Sequence, residues 1–253
     1  MSTTFFKYHG AGNDFILFDN RSSVVSLTPL AIAELCDRKF GIGADGLMLL
    51  EKAKVEGDQF YMTYFNSDGL QSSMCGNGGR CIALFAKDLG LTEVILKFHA
   101  IDGAHWAKVT GNTVELAMSS APAIEQKYDG YFVDTGSPHH VEWSTHDNEF
   151  LHKARKKRNE YGTAGVNVNY LEYQNSVLHI RTFERGVEDE TLACGTGAVA
   201  AAMVAVSQGK ATSPVTLQAR GGQLTVSFEG TGPFDNVILQ GPAKFVFKGT
   251  IDL

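Results

Sequence analysis

The chain has 253 residues, of which 43% are hydrophobic and 20% charged, and its 28 acidic against 22 basic residues give a formal net charge of −6. This composition supports a packed core and excludes a disordered chain. The acidic balance argues against a nucleic-acid partner, which would require a basic face, but it permits a small zwitterionic substrate.

Neither export nor membrane insertion is expected. The first ten residues, MSTTFFKYHG, lack the apolar stretch of a signal peptide, and the longest apolar run, at Ala198–Val206, is too short to span a bilayer. We therefore expect a cytoplasmic protein with no membrane partner. Its four cysteines, Cys36, Cys75, Cys81 and Cys194, are expected to be reduced, because a chain of this length needs no disulfide.

The apolar and turn patterns predict a mixed α/β chain that is rich in strands. Thr28 at the N-cap and Pro29 at the first turn predict a helix over Leu30–Phe40 that stops at Gly41. Further helices are predicted over Gly79–Leu89, Asn148–Lys157 and Gly197–Ser207. The predicted strands are Phe15–Phe18, Leu47–Leu50, Gln59–Phe65, Glu93–Phe98, His105–Val109, Thr113–Met118, Tyr131–Val133, Val166–Tyr173, Val177–Phe183, Val215–Ala219, Gln223–Phe228, Val237–Leu239 and Lys244–Phe247.

Two stretches of the chain, about half its length apart, repeat one order of elements. Phe65–Gly69 leads to Met74–Gly78 and a helix, and Phe183–Gly186 leads to Ala193–Gly197 and a second helix that is apolar on every side. Both read strand, loop, Cys-Gly-x-Gly, helix. The repeat predicts two similar halves with a boundary near Ser119–Pro122 and burial of the second helix.

A cysteine at a helix start can perform acid/base chemistry. The unpaired N–H groups there stabilise a thiolate, and they can also bind a carboxylate that the glycines allow to approach. Inverting a carbon stereocentre requires one group to remove a proton and another to deliver one from the opposite face. Cys75 and Cys194 are the candidates for that pair, whereas Cys36 and Cys81 lie in apolar helical patterns and are expected to be buried.

Other site patterns are absent or out of context. Gly41–Gly46 matches G-x-G-x-x-G, but a helix precedes it and a strand follows, which is the reverse of a dinucleotide site. Cys75 and Cys81 lack metal-ligand spacing, so no metal is expected. His139 and His140 follow a proline in what reads as a turn.

The chain resembles the diaminopimelate epimerases, which are amino-acid epimerases that use no cofactor. The resemblance covers nearly the whole length and rests on several stretches in the same order. These are Phe6–Phe15, Asp37–Gly46, Phe65–Gly69, Met74–Cys81, Asn167–Asn169, Glu184–Gly186 and Ala193–Gly197.

The resemblance implies two pseudo-symmetric α+β domains, each a mostly antiparallel sheet or barrel around a central helix, with the active site in the cleft between them. The halves would be 1–118, joined by the C-terminal strand 245–253, and 119–244. Cys75 and Cys194 would be the acid/base thiols. The implied substrate contacts are Asn13, Asn66, Gly76, Asn77, Asn167, Glu184, Arg185, Gly195 and Thr196, with Ser137 and His139 lining the substrate.

Two departures from the family pattern lie near substrate recognition. Ser137 stands where the family often has asparagine before Pro-His, and the stretch Arg185–Thr191 is one residue longer than usual. Neither departure touches the thiols.

The expected reaction is conversion of LL-2,6-diaminoheptanedioate to the meso form, in lysine and peptidoglycan precursor synthesis, by an isomerase that forms a homodimer and needs no cofactor. Two alternatives stay open. One is a related racemase of proline, hydroxyproline or histidine. The other is a non-catalytic thiol redox sensor, in which Cys75 and Cys194 would form a disulfide switch.

Overall fold

A computed structural model of the chain describes residues 2–121 and 123–253, so Pro122, at the predicted boundary, lies outside the described residues. The chain divides into two compact units. The first unit is Met1–Leu116 together with Pro242–Leu253, and the second unit is Ala117–Gly241.

Most helices and strands of the first unit precede those of the second unit in the chain. In chain order the elements to residue 117 are β1 Ser2–Gly10, β2 Asn13–Asn20, α1 Pro29–Cys36, β3 Gly46–Glu51, β4 Phe60–Asn66, β5 Gln71–Ser72, α2 Gly76–Asp88, β6 Ile95–Ala100, β7 Gly103–Thr110 and β8 Thr113–Ala117. The elements that follow are β9 Glu125–Lys127, β10 Gly130–Asp134, β11 Pro138–Trp143, α3 Phe150–Glu160, β12 Asn167–Gln174, β13 Val177–Glu184, β14 Asp189–Thr191, α4 Gly195–Ser207, β15 Val215–Ala219, β16 Gly222–Glu229, β17 Asp235–Pro242 and β18 Lys244–Asp252.

The two units have the same internal sheet topology. In the first unit the strand order is β18-β1-β2-β3-β4-β6-β7-β8, with parallel pairing only at β2–β3 and β4–β6. In the second unit the order is β9-β10-β11-β12-β13-β15-β16-β17, with parallel pairing only at β11–β12 and β13–β15. The prediction of a mostly antiparallel α+β fold with two matching halves is confirmed.

Each sheet curves around one helix. Within the first unit α2 contacts β18, β1, β2, β3 and β7, and within the second α4 contacts β10, β11, β12, β13, β15 and β16. Both helices are buried along nearly their whole length, and α4 is buried without interruption from Gly197 to Ala205. The prediction that this all-apolar helix is a core element is confirmed.

Both central helices begin earlier than the sequence pattern predicts. Cys75 and Cys194 are themselves the N-cap residues, and the helices start at Gly76 and Gly195. Glycine has a low helix propensity, but here packing inside a sheet outweighs that cost. The glycine-rich turns are therefore the first turns of the helices.

The first helix ends sooner than predicted. Thr28 caps it by accepting a hydrogen bond from the Ala31 N–H at 3.2 Å, as expected, but α1 stops at Cys36 instead of Phe40. Asp37 is extended, and the chain turns back so that the N–H groups of Ile42 and Gly43 both bond to the carbonyl oxygen of Leu35.

Short or polar strands were not predicted. They include β1, β5, β9 and β14, and also β11, which contains His139 and His140. The prediction that these histidines lie in a turn is wrong, because both lie within β11, which pairs with β10 on one side and β12 on the other. Within residues 2–121 and 123–253, no helix combines the length and the apolar character that crossing a membrane requires.

Candidate functional site

The N-terminus of α2 brings three predicted site residues together in the first unit. The Cys75 thiol lies 3.8 Å from Oδ1 of Asn13 and is oriented to donate to it. The same oxygen accepts a hydrogen bond from Nδ2 of Asn77 at 3.2 Å. Cys75 is half-buried and Asn77 is buried, so a thiol, two amides and the first backbone N–H groups of a helix converge at one place.

Asp45 fixes the orientation of Asn13. A carboxylate only accepts hydrogen bonds, and Oδ2 of Asp45 lies 2.6 Å from Nδ2 of Asn13. The amide oxygen of Asn13 must therefore face Cys75. Asp45 in turn is held by Arg38, which also forms a two-pronged ion pair with Asp14.

Asp14 is the anionic centre of this supporting network. Burial raises the pKa of its carboxyl, but hydrogen bonds from Arg38 and Lys7 outweigh that effect and bring the pKa to about 2. The Lys7 ammonium lies 2.8 Å from Asp14 and is itself buried. The carboxylate consequently stays ionised at neutral pH and anchors the segment that follows α1.

The N-terminus of α4 carries the corresponding group in the second unit. Oγ1 of Thr196 lies 3.4 Å from Sγ of Cys194 and 2.9 Å from Nε2 of His139. Nδ1 of His139 lies 3.0 Å from Nδ2 of Asn169. These contacts form one continuous chain from a strand amide to a thiol.

The direction of that chain follows from Asn169. Its Oδ1 accepts from the Thr182 hydroxyl at 2.9 Å and its Nδ2 donates to the carbonyl oxygen of His140 at 3.1 Å, so the amide orientation is fixed. Nδ1 of His139 must then accept, and Nε2–H donates to Thr196. The Thr196 hydroxyl hydrogen is left to point at the sulfur of Cys194.

His139 is neutral within this series of hydrogen bonds. It is fully buried, and burial, followed by the positive charge of Arg185, lowers its pKa to about 3. A neutral ring in one fixed tautomer donates to Thr196 and so determines the orientation of its hydroxyl. It does this without placing a charge near Cys194.

Another group of predicted residues meets beside β11. Nδ2 of Asn167 donates to the Ser137 hydroxyl at 2.8 Å, and Oδ1 of Asn167 accepts from the backbone N–H of Arg185 at 2.9 Å. The Arg185 guanidinium donates to the carbonyl oxygen of Ala164 at 3.2 Å and is solvent-exposed. Ser137, which departs from the family pattern, is therefore a hydrogen-bond partner of Asn167.

The remaining predicted residues take simpler positions. Gly76 and Gly195 are the buried first residues of α2 and α4. Asn66 is exposed at the end of β4, and Glu184 is half-buried at the end of β13.

Three supporting residues had not been predicted: Arg80, Asp45 and Asn169. Asp45 and Asn169 do lie within stretches that carry the family resemblance, and Asn169 shares a strand face with Asn167, so alternation along β12 was an available signal. Arg80 also lies within such a stretch, Met74–Cys81, but its burial was not expected, because an arginine in a helix is usually exposed.

One group of possible metal ligands occurs in the described part of the chain. Ligand-type atoms of Asp129, His140 and Glu142 lie within 4.8 Å of one another. Asp129 already holds the ammonium of Lys157, and His140 is hydrogen-bonded to the Tyr161 hydroxyl at 2.9 Å. The cation at this cluster is thus a lysine side chain.

Comparison with known sequences gives a consistent result. The profile of the family described as "Diaminopimelate epimerase" matches residues 5–122 and 131–246. A protein of that name from Flavobacterium psychrophilum is 46% identical over 97% of this chain and 99% of its own length. Another from Chlorobaculum tepidum is 43% identical, covering 96% and 99%.

Solved structures with low identity share the fold. A hydroxyproline epimerase from Agrobacterium vitis superposes with a TM-score of 0.75 at 12% identity, covering 99% of this chain and 91% of its own. A phenazine biosynthesis protein of the PhzF family from Enterococcus faecalis gives 0.73 at 17% identity, covering 100% of both chains. These likenesses support the architecture alone.

Proposed function

Since the chain belongs to the diaminopimelate epimerase family, we propose that it converts LL-2,6-diaminoheptanedioate to the meso form by proton transfer between two thiols. The reaction is an isomerisation in lysine and peptidoglycan precursor synthesis. Its place among cytoplasmic biosynthetic steps leads us to propose a cytoplasmic homodimer that acts without nucleic acid, membrane or cofactor.

The observation that carries the proposal is the matched position of the two cysteines. Each is the N-cap of a 13-residue helix, and each helix packs in a unit whose strands follow the same order of parallel and antiparallel pairings. We propose two epimerase halves, 1–118 with 245–253 and 119–244, whose bounds differ by two or three residues from those of the two units. Two equivalent thiols are what a two-base inversion requires.

The proposed step begins with one cysteine as thiolate and the other as thiol. The thiolate takes the α-proton, so the Cα–H bond breaks and an S–H bond forms, while the electron pair left on the α-carbon spreads into the carboxylate. The other thiol then delivers its proton from the opposite face and becomes the thiolate. Helix N–H groups at Gly76–Asn77 and Gly195–Thr196 would stabilise the charge that develops on the carboxylate.

The hydrogen-bond directions indicate which thiol is charged before the substrate is bound. Cys75 is oriented to donate to Asn13, as a thiol does, and the Thr196 hydroxyl is directed toward Cys194, which suits a thiolate. We propose that Cys194 is the resting base and Cys75 the resting acid. Because the two thiols exchange roles in each turnover, the assignment reverses for the opposite isomer.

The remaining predicted contacts would hold the unreacting end of the substrate. That end has an ammonium and a carboxylate, which match Glu184 and Arg185. Asn66 and Asn167 supply amide groups, and Ser137 adds a hydroxyl where the family often has an amide. We propose these roles together with those of Asn13, Asn77, Thr196 and His139 at the reacting end.

Cysteine replacement tests the mechanism directly. Cys75→Ala and Cys194→Ala should each abolish epimerisation while the protein stays folded, and Cys36→Ala is the control, because Cys36 is buried in α1. In D₂O the wild-type product should carry deuterium at the α-carbon. Full activity in either site variant, or a product without deuterium, would overturn the two-thiol proposal.

Substrate comparison tests the reaction's specificity. Turnover of diaminopimelate should exceed that of proline, hydroxyproline and histidine, and activity should rise when the thiols are kept reduced. A preference for one of those three amino acids would point to a related racemase. A protein that is inactive on all four substrates in strong reductant would point to the thiol redox sensor.

A further inference from the structure

Arg80 is a fully buried arginine one turn beyond Cys75 in α2. It is the largest side chain of the described residues that is almost completely hidden from solvent, with an exposed fraction of 0%. Arginine is rarely buried without a carboxylate or phosphate partner, because removing its charge from water is costly. The cost of burying Arg80 therefore suggests that its charge has a function at this place.

All hydrogen-bond partners of the Arg80 guanidinium are neutral. Nη1 donates to the Gly76 carbonyl oxygen at 3.1 Å, Nη2 to Oδ1 of Asn77 at 2.7 Å, and Nε to the Pro242 carbonyl oxygen at 3.3 Å. Among residues 2–121 and 123–253, no carboxylate forms an ion pair with Arg80. The positive charge is thus not neutralised locally.

Neighbouring backbone makes room for this arrangement. A side chain at Gly10 would place its Cβ 2.9 Å from the Asn77 carbonyl oxygen and 3.4 Å from Nη2 of Arg80. Because Gly10 has no side chain, β1 lies directly against the guanidinium and the first turn of α2.

The direction of the Asn77 hydrogen bonds depends on Arg80. A guanidinium can only donate, so Oδ1 of Asn77 must face it and Nδ2 must face Asn13. Asp45 fixes Asn13 from the other side. Asn77 and Asn13 are therefore locked between one obligatory donor and one obligatory acceptor, and their groups meet beside Cys75.

The ionisable groups around Cys75 differ in sign. Arg80 and the buried thiol of Cys81 lie on the same helix; burial raises the pKa of Cys81 and keeps it neutral, and the positive charge of Arg80 acts on both Cys81 and Cys75. Asp45 stands behind Asn13, and Asp102 accepts a hydrogen bond from the Met74 N–H at 3.1 Å. Both carboxylates disfavour a negative sulfur, which leaves Arg80 as the buried cation that favours it.

We infer that Arg80 is a positioning residue of the proposed epimerase site, which fixes the amide of Asn77 and stabilises the thiolate form of Cys75 with an unneutralised buried charge. This inference rests on the proposed function for its catalytic meaning. It does not make Arg80 a substrate contact, since the side chain is fully buried and each of its three nitrogens donates to a partner inside the first unit.

Two variants separate the charge from the hydrogen bonds. Arg80→Gln keeps an amide donor and removes the charge, and Arg80→Lys keeps the charge and removes the planar fork. Tyr8→Phe is the control, because the Tyr8 hydroxyl bonds to Asp88 at 2.6 Å, at the opposite end of the same helix. Each protein is alkylated with iodoacetamide over a pH series, and the modification of Cys75 is quantified by peptide mass spectrometry.

For Arg80→Gln, the midpoint of the Cys75 pH–rate profile should rise by about one pH unit, as expected for loss of a nearby opposite charge. For Arg80→Lys, the midpoint should stay near the wild-type value, while kcat falls at least about tenfold because Asn77 is no longer fixed. Tyr8→Phe should lower thermal stability and leave the midpoint unchanged.

The inference is overturned if folded Arg80→Gln keeps the wild-type midpoint, or if Arg80→Lys keeps the wild-type kcat. If Arg80→Gln does not fold, the kcat of Arg80→Lys decides the positioning role. Alkylation does not depend on turnover, so a wild-type protein that fails to epimerise diaminopimelate would refute the proposed function and leave the thiolate result readable on its own.

Discussion

Nδ2 of Asn169 lies 3.0 Å from Nδ1 of His139, and this hydrogen bond places the ring proton of a fully buried histidine on Nε2. The proton then faces Thr196, and the Thr196 hydroxyl faces Cys194. A strand residue that is itself fully buried therefore determines the direction of the hydrogen bonds at a thiol three contacts away.

Asn169→Asp should reverse that direction. A carboxylate accepts only, so Nδ1 of His139 would carry the proton and Nε2 would accept from Thr196, turning the hydroxyl away from Cys194. We expect kcat to fall by about a hundredfold, as when one preorganised donor is lost. The ¹⁵N chemical shifts of the His139 ring should show the exchanged tautomer.

The matched control is Asn159→Asp, which makes the same chemical change at an exposed position near the end of α3. It should leave both kcat and the histidine shifts unchanged. An Asn169→Asp protein with the wild-type tautomer would contradict the assigned hydrogen-bond direction.

The third residue after each cysteine offers a second comparison. A Cβ at Gly197 would lie 2.4 Å from Oδ1 of Asn169, whose amide cannot turn, whereas a Cβ at Gly78 would first meet the flexible Met48 side chain at 3.3 Å. Gly197→Ala should cost about 1–3 kcal/mol of stability and reduce kcat through Asn169. In Gly78→Ala, the gain in helix propensity of about 1 kcal/mol should offset the small shift of Met48.

Thermal unfolding and steady-state kinetics of the two alanine variants check this difference. Equal losses at both positions would show that any side chain in these first helical turns is harmful, whatever it contacts.

Asp45→Ala should weaken substrate binding more than it slows turnover. Without the carboxylate, the Asn13 amide can rotate, and its oxygen no longer faces Cys75 and Asn77. A hydrogen bond to a charged group contributes about 1.5–3 kcal/mol, so KM should rise about tenfold or more. Asp19→Ala, which removes a half-buried carboxylate paired with Arg21 and away from Asn13, should change KM little.

Acid should destabilise the protein through two groups, His139 and Asp14, whose contributions are lost over different pH ranges. His139 has a native pKa of about 3, below its ordinary 6.5, so between these values the unfolded chain binds a proton that the native protein does not. The contribution of His139 to stability is fully present above pH 6.5 and is lost as the pH falls toward 3. From pH 7 to 5 this one group should remove about 2 kcal/mol from the free energy of unfolding.

Asp14 acts lower on the scale. Its pKa is lowered from 3.8 to about 2, so its contribution is present above pH 4 and disappears between pH 4 and 2. Urea unfolding at pH 7 and 5 therefore reports on histidine, with a smaller part from His146, whose pKa burial also lowers. In His139→Gln the difference between the two pH values should shrink, and an unchanged difference would refute the role of His139.

The sequence predicted the elements that have a strong apolar pattern, and it predicted the paired cysteines at helix starts. It did not predict where those helices begin, because Gly76 and Gly195 are weak helix formers and only the surrounding strands make them helical. Polar strands such as β11 were missed for a related reason: His139 and His140 are buried by tertiary packing, which local residue patterns do not reveal.

The side chains that position the thiols and amides, such as Arg80, were the hardest part of the site to predict. The thiols and amides carry the chemistry and lie in recognisable stretches. Arg80 acts through Asn77, but its position depends on Gly10 of another strand and on the Pro242 carbonyl oxygen far along the chain. Such partners are brought together only by the folded topology, so neither spacing nor composition points to them.

The C-terminal segment gives the chain an order of completion during its synthesis. β18 is the outer neighbour of β1 along Ser2–His9, and Pro242 supplies the acceptor for Nε of Arg80. A ribosome makes all of Ala117–Gly241 before either contact can form. The unit that is translated first is therefore completed last. The contacts around Cys75 are complete only after the residues around Cys194 have been synthesised.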